Sequence, residues 1–554
     1  MQDTPSVKRF SFDTAAVWIV GGIAFLSTVV LIPSNTVSLF GTKVSLLATG
    51  ALIALIAYII ARLVRGNIVF PPLMLLGAVW LIPLAYGVST LFSGVNQAQA
   101  FFGVEFETDT LGFVLLMALL ATLAALALRQ ASHYSLFYKI LGATYAVVVL
   151  AQIGFIVAAK SGVAGVTAVT NLIGSFSDLG FVAGLGIVLS LLAMRFLTLS
   201  SRVKIALWVA ILAGLVLVVL ANAVLVWILV GLVSLGLFIE AIMRRRSTGH
   251  DADMEGVSTM SADEDSDYAE SESRSLGAPL VTLLVSLFFL IGGATIGNAF
   301  ATSLGINVID VRPSWQSTFD VGSHTYAASP LFGSGPGTFG EQWLKYKDRA
   351  LNDTVFWNVD FATGIGSIPT SFITTGIIGA LAWIIFIGLF LYSGVRALLF
   401  RLPQDTFMRF VSLASFTGAA YVLVASFFAA PGVVVLALGF LFVGLFVSSL
   451  RYGKGRLDWG IVFSKNPRVG FAIVFVMTLL LLASVAAIYV VLGRYMAHSA
   501  YGEAAQALSA GNVDGADAAI ARSVTFAPSE RAYQLSAATG IERMRRIAND
   551  TTLS

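Results

Sequence analysis

Runs of about 18 or more apolar residues recur along most of the chain, each long enough to cross a hydrocarbon core about 30 Å thick. Lipid offers no water to satisfy backbone N–H and C=O groups, so a chain built this way crosses as helices. About thirteen spans are expected, near residues 15–34, 43–63, 69–91, 110–129, 135–158, 178–198, 203–221, 223–242, 278–301, 368–395, 408–429, 432–450 and 469–494. Only 11% of the 554 residues are charged, against 57% hydrophobic. A soluble protein carries roughly twice that charged share. The expected fold is an all-α polytopic membrane protein.

The basic residues predict an orientation. With a cytoplasmic N-terminus, the inner loops hold Arg62 and Arg65, then Arg129 and Lys139, then Arg195, Arg202 and Lys204. Further inner positions are Arg244, Arg396, Arg401, Arg409, Arg451 and Lys454. The outer loops are poor in positive charge, with Lys43 and Lys160 isolated, as the positive-inside bias requires. The C-terminus is then external. Lys8 and Arg9 precede an apolar run with no small-residue cleavage pattern, which predicts an uncleaved first span. The net charge of +3 follows topology and implies no nucleic-acid partner. With no cysteine there is no disulfide and no thiolate site.

Residues 1–500 thus form the membrane domain, with two long loops. The inner one, 247–277, is rich in serine and acid and is expected to be a disordered linker. The outer one, 302–367, lies before the tenth span and carries Trp315, Phe319, Tyr326, Phe339, Trp343 and Trp357, enough aromatic surface to order itself. Residues 501–554 read as helix, turn, helix, with Ala504, Ala505 and Leu508 facing Ala516, Ile520 and Val524 across Gly511. The pattern resembles a tetratricopeptide unit. Such arrays normally need about three repeats, so this one either packs on the membrane domain or continues beyond residue 554.

Ionisable residues are nearly absent from the spans, which argues against ion-coupled transport, where something at mid-depth must bind the ion. The outer loop before the fourth span carries Glu105, Glu107 and Asp109, which can contact sugar hydroxyls or serve as ordinary loop charge.

The outer loop 302–367 contains VRPSW at 311–315, then PLFGSGPGTF at 330–339, and the following span begins with a Gly376 to Gly379 step. In that order and topology these segments resemble the O-antigen ligase and O-antigen polymerase superfamily of membrane glycosyltransferases. NLIGSFSDLGF at 171–181 is similar to the family's Gly-x-Phe-x-Asn/Asp start of a middle span. The resemblance implies transfer of a glycan from a polyprenyl-diphosphate carrier to an acceptor at the outer face of a bacterial cytoplasmic membrane. It implies no metal and no cofactor, because cations hold the diphosphate and a base deprotonates the acceptor hydroxyl. Membrane lipids, and a protein bound through the C-terminal repeat, are the other partners implied. Two family features have no counterpart: a His near Ile365, Gly366 or Ser367, and an Arg within 220–232. A ligase-like scaffold that binds lipid-linked glycan without catalysis is therefore the second reading, and translocation of lipid or glycan the third.

Within the resemblance, Arg312 is the diphosphate clamp, since a guanidinium fork suits bidentate oxyanion binding. Its plain role is an interfacial pair with Asp310 or headgroups. The candidate bases are Asp360, near the family His, and His324, the one imidazole of the outer loop. Trp315, Gly333, Gly335 and Gly337 shape the substrate wall. Lys345 belongs to a basic cluster with Lys347 and Arg349 that either attracts an anionic carrier or is a solvated face. Asp178 either orients substrate or caps its helix. A Walker loop would need Gly-Lys-Ser/Thr where Gly337-Thr338-Phe339 stands, and a dinucleotide fingerprint needs a soluble βαβ unit, so neither explains the turn.

Overall fold

The computed structural model describes residues 12–32, 36–103, 107–254, 262–306, 311–354, 356–453, 459–465 and 467–549, with the side chains of 12–13, 244–254, 262–276, 294 and 459 excepted. It is helical nearly throughout. The helices are α1 (Phe12–Val29), α2 (Leu39–Arg65), α3 (Leu73–Phe92), α4 (Gln97–Phe102), α5 (Leu111–Ala127), α6 (Ala131–Lys160) and α7 (Phe176–Phe196). They continue as α8 (Ser201–Ala221), α9 (Val224–Met254), α10 (Ala262–Ile291), α11 (Gly293–Ser303), α12 (Trp315–Ala328) and α13 (Phe339–Tyr346). The last are α14 (Ser367–Val395), α15 (Thr406–Phe428), α16 (Val433–Ser449), α17 (Pro467–Ser509), α18 (Val513–Phe526) and α19 (Glu530–Asn549).

Each of the thirteen expected segments is helical, but not all are full spans. Among the described residues ten helices are long and apolar enough to cross a membrane, or eleven if α10 and α11 form one broken span. That pair bends by 93° at the Gly292-Gly293 step, where two residues of low helix propensity meet. The first span, Thr14–Val29, and the fourth, Leu111–Ala127, are shorter. α5 is short because both ends are fixed. Thr110 caps its start by accepting from the Phe113 amide, and the Arg451 guanidinium donates to Ala125 O at 2.8 Å at its end. Seventeen residues make a helix of about 26 Å, just under the hydrocarbon thickness. The chain is a multi-pass membrane protein.

Helical backbone also enters the stretch expected as a disordered linker. α9 runs on to Met254 and α10 begins at Ala262, so only 255–261 of that stretch lie outside the described residues. Each flank continues a helix already paid for by its apolar part, because extension costs far less than nucleation.

The chain divides into two compact units. One holds α1, α2 and α17 to α19. There Lys43, the isolated cation that broke the charge bias, is 2% exposed and donates its Nζ to Ser27 O at 2.6 Å and Thr28 O at 3.1 Å. A lysine at these last carbonyls of α1 satisfies acceptors that no helical N–H reaches. α17 is one helix of 43 residues, about 65 Å long. The sequence reading divided it into a span and a separate repeat helix, but no proline interrupts 468–509 and the helix runs through. It turns at Gly511, φ +76°, into α18. Ala504, Ala519 and Ile520 form the small core there, with Val524 and Leu535 against it.

The other unit holds α3 to α16. Its centre is α16, in which every residue from Val433 to Ser449 is buried. Around it α3, α5, α14 and α15 assemble. The starts of α5, α14 and α16 and the ends of α3 and α15 share one end of this bundle, where residues 311–366 fold. Phe339 and Trp343 of α13 join Val321 of α12 and Ile373 of α14 in a local core. Burying such an aromatic ring contributes about 2–3 kcal/mol, which is how a loop of low hydropathy becomes ordered. Phe319, Phe356 and Trp357 stay exposed.

Candidate functional site

The glycine-rich turn gets its shape from a break in the helix below it. Gly376 interrupts α14 with φ +64° and ψ −157°, a backbone region open essentially to glycine alone. The freed groups of α14 bond the turn: the Ile377 amide donates to Pro330 O at 3.0 Å, and the Gly335 amide donates to Thr374 O at 2.8 Å. The two backbones approach so closely that a Cβ on Gly376 would lie 2.6 Å from the Gly333 nitrogen, and one on Gly333 would lie 2.5 Å from Thr374 O. Gly333, Gly335 and Gly337 all have positive φ, at +66°, +101° and +72°. From α3, the Ser89 hydroxyl donates to Phe332 O at 2.6 Å. The turn gives the carbonyls of Pro330, Leu331 and Phe332 and the Gly335 amide to this internal lattice; it is a rigid cover over the bundle end.

Beneath that cover lies Asp109. Expected either to contact sugar hydroxyls or to be ordinary loop charge, it is instead 5% exposed, in the segment between α4 and α5. Its Oδ1 accepts from the Tyr86 hydroxyl at 2.6 Å. Burial pushes its carboxyl up to about 7; the Tyr86 hydroxyl, the Thr374 hydroxyl and the Gly337 amide pull the other way, and Glu107 adds to the rise. A carboxyl poised near neutral pH can accept or release a proton where an ordinary one cannot. The cavity beside it, with about 40 Å³ of space for solvent, is lined by Tyr86, Asp109, Thr363, Ser367, Trp383 and Ser426 among mostly apolar walls. Ser367 Oγ and Trp383 Nε1 are buried there without partners.

Arg312 stands close along the chain to the same rim. Its Nη1 donates to Phe428 O at 3.3 Å, two residues past Ser426, and the side chain is exposed. Trp315 packs its ring 5.8 Å from Phe427 and 6.0 Å from Phe428. The Ser367 amide donates to Ala429 O at 3.1 Å, so the position where the resemblance puts a His adjoins the segment that anchors Arg312.

The other sequence candidates are spread out. His324 lies nine residues beyond Trp315 on α12, about 14 Å along the helix. Its Nδ1 is 2.8 Å from Asp320 O and its ring stacks on Tyr346 at 5.0 Å. Asp360 is exposed in the segment before α14. Lys345 is exposed, its Nζ 4.8 Å over the Tyr346 ring. Asp178 has a partner distant in sequence. Ser175 caps α7, while Asp178 Oδ1 accepts from the Gly432 amide at 2.8 Å, fastening α7 to the start of α16. Among the described residues no group of three or more His, Asp or Glu is arranged to hold a metal ion.

Asp109 was the residue that sequence reasoning undervalued. A signal existed: Tyr86 sits within a span, a buried tyrosine hydroxyl wants a partner, and Asp109 lies just before the next long helix at the same bundle end. No protein-family model matches the chain, and no curated protein matches it.

Proposed function

We propose that the chain transfers a glycan from a polyprenyl-diphosphate carrier, in the manner of the O-antigen ligases and polymerases. The observation that carries this reading is the interlock of Gly333 with Gly376. The glycine-rich turn and the following Gly-x-x-Gly step, which the resemblance sets in order along the sequence, are one object in space. The bundle end that bears them faces the outside of a bacterial cytoplasmic membrane, and the N-terminus faces the cytoplasm. Arg312 holds the diphosphate and stabilises it as leaving group. Asp360, in the segment leading to α14, is the better of the two sequence-derived bases, because His324 lies far along α12 from Arg312. The C-terminal helices recruit the acceptor or a protein partner.

A second reading is favoured by one specific observation, the separation of His324 from Arg312 combined with the absence of a His near Ser367. On that reading the same groove binds lipid-linked glycan without transferring it. Vesicles containing the purified chain and a polyprenyl-diphosphate oligosaccharide separate the two. Longer or transferred glycan supports the first reading. Saturable binding with no product supports the second, and neither binding nor product removes both.

A further inference from the structure

We infer that the cavity at the far end of α14, between Tyr392, Arg396, Arg401 and the start of α3, binds the phosphate headgroup of an anionic phospholipid. α14 closes in a π-helical turn, Arg396–Phe400, wider than an α-helical one. The cavity beside it has about 80 Å³ of space for solvent, room for several groups of water size. Pro72, Met74 and Leu75 at the start of α3, and Leu450 after α16, give it apolar walls. Gly453 closes one side: a Cβ there would lie 3.0 Å from Arg401 O, so the chain after α16 packs on the Arg401 backbone.

Both arginines line this cavity, and among the described residues neither side chain has an acidic partner. Arg396 Nη1 donates to the Tyr392 hydroxyl at 3.4 Å, and Tyr392 lines the cavity too, so this guanidinium is held at the rim. Asp405, the nearest acid in the sequence, accepts from the Met408 amide at 2.8 Å and caps α15. Arg409 adds a third cation behind the wall, donating to Pro403 O at 3.5 Å. Cations without counter-ions around one cavity call for an anion, and a guanidinium fork matches phosphate oxygens. The border of the cavity favours a lipid over a free anion. Met74 and Tyr392 are about half exposed there, and Leu399 and Phe400 of the π turn are exposed beside them. In a multi-pass chain such a border meets acyl chains, and a basic pocket between span ends suits an anionic headgroup. α14 has 29 residues, so this site lies about 40 Å from the glycine-rich turn and does not depend on glycan transfer.

The test is native mass spectrometry of the full chain, delipidated in detergent and titrated with dioleoyl phosphatidylglycerol, dioleoyl phosphatidylcholine or inorganic phosphate. Phosphatidylglycerol is expected to fill one saturable site, about tenfold or more tighter than phosphatidylcholine, and inorganic phosphate at equal concentration is expected not to displace it. Arg396→Gln and Arg401→Gln each weaken phosphatidylglycerol about tenfold or more, as for one lost charge-assisted hydrogen bond. Arg202→Gln, at an exposed position at the start of α8, controls for surface charge and leaves the affinity unchanged. Arg396 is exposed, so Arg396→Gln carries the test if Arg401→Gln does not fold. The inference is overturned if phosphatidylglycerol does not saturate, if the two lipids bind alike, or if Arg396→Gln binds like the native chain. It is equally overturned if Arg202→Gln weakens binding as much, or if inorganic phosphate displaces the lipid, as at a site for a free anion.

Discussion

Gly376 and Gly333 lie backbone against backbone, so close that a Cβ on the first would sit 2.6 Å from the nitrogen of the second. Alanine at Gly376 meets both this contact and an unfavourable backbone region. Gly376→Ala is therefore expected to destabilise the protein by about 2–4 kcal/mol. Gly388→Ala, on the same helix with open space around it, is the control and should change little. Thermal unfolding in detergent compares them; equal midpoints would dismiss the interlock as a source of stability.

Asp109 makes stability depend on pH. Its carboxyl, ordinarily near 3.8, is pushed up to about 7 by burial. Between those values the folded chain keeps a proton that the unfolded chain releases, so stability falls as pH rises through this window. It is fully present below about 4 and lost above about 7, a change of roughly 4 kcal/mol at most. The unfolding midpoint should drop between pH 5 and pH 8, and Asp109→Asn should flatten that drop. A variant with the native slope would assign the dependence to other groups.

Asp178 joins α7 to the Gly432 amide. Asp178→Ala leaves that part-buried amide without its acceptor, and a loss of about 1–2 kcal/mol is expected. The predicted signature is a lower unfolding midpoint in detergent, and a native midpoint would show that this bond carries no stability.

Orientation is open to single-cysteine labelling, because the chain has no cysteine of its own. Asp353→Cys, on the exposed segment after α13, should react in intact cells with a membrane-impermeant maleimide. Ser201→Cys, at the exposed start of α8, should react only after permeabilisation. The opposite pattern would invert the orientation and exclude an outer-face site.

The helical, multi-span fold was legible because apolar length and lipid thickness leave few alternatives, and every expected segment is helical. What the pattern did not reveal were the interruptions. The bend at Gly292-Gly293 and the continuous α17 depend on local backbone choices that hydropathy averages away. Arg312 and the turn stand out in the sequence through their order along the chain. Asp109 does not, because its significance comes from Tyr86, Thr374 and Gly337, which are distant in sequence and meet only in three dimensions. The bond of Asp178 to Gly432 was hidden for a related reason: the two lie 254 positions apart.

The most direct measurement is the initial rate of polyprenyl-diphosphate release, with matching glycan transfer, from a labelled polyprenyl-diphosphate oligosaccharide in vesicles. The native chain is predicted to release it well above empty vesicles. Arg312→Ala is predicted to lower the rate by about 10²–10³, as expected for losing a cation at the leaving group. No release by the native chain, or equal release by Arg312→Ala, would contradict the account.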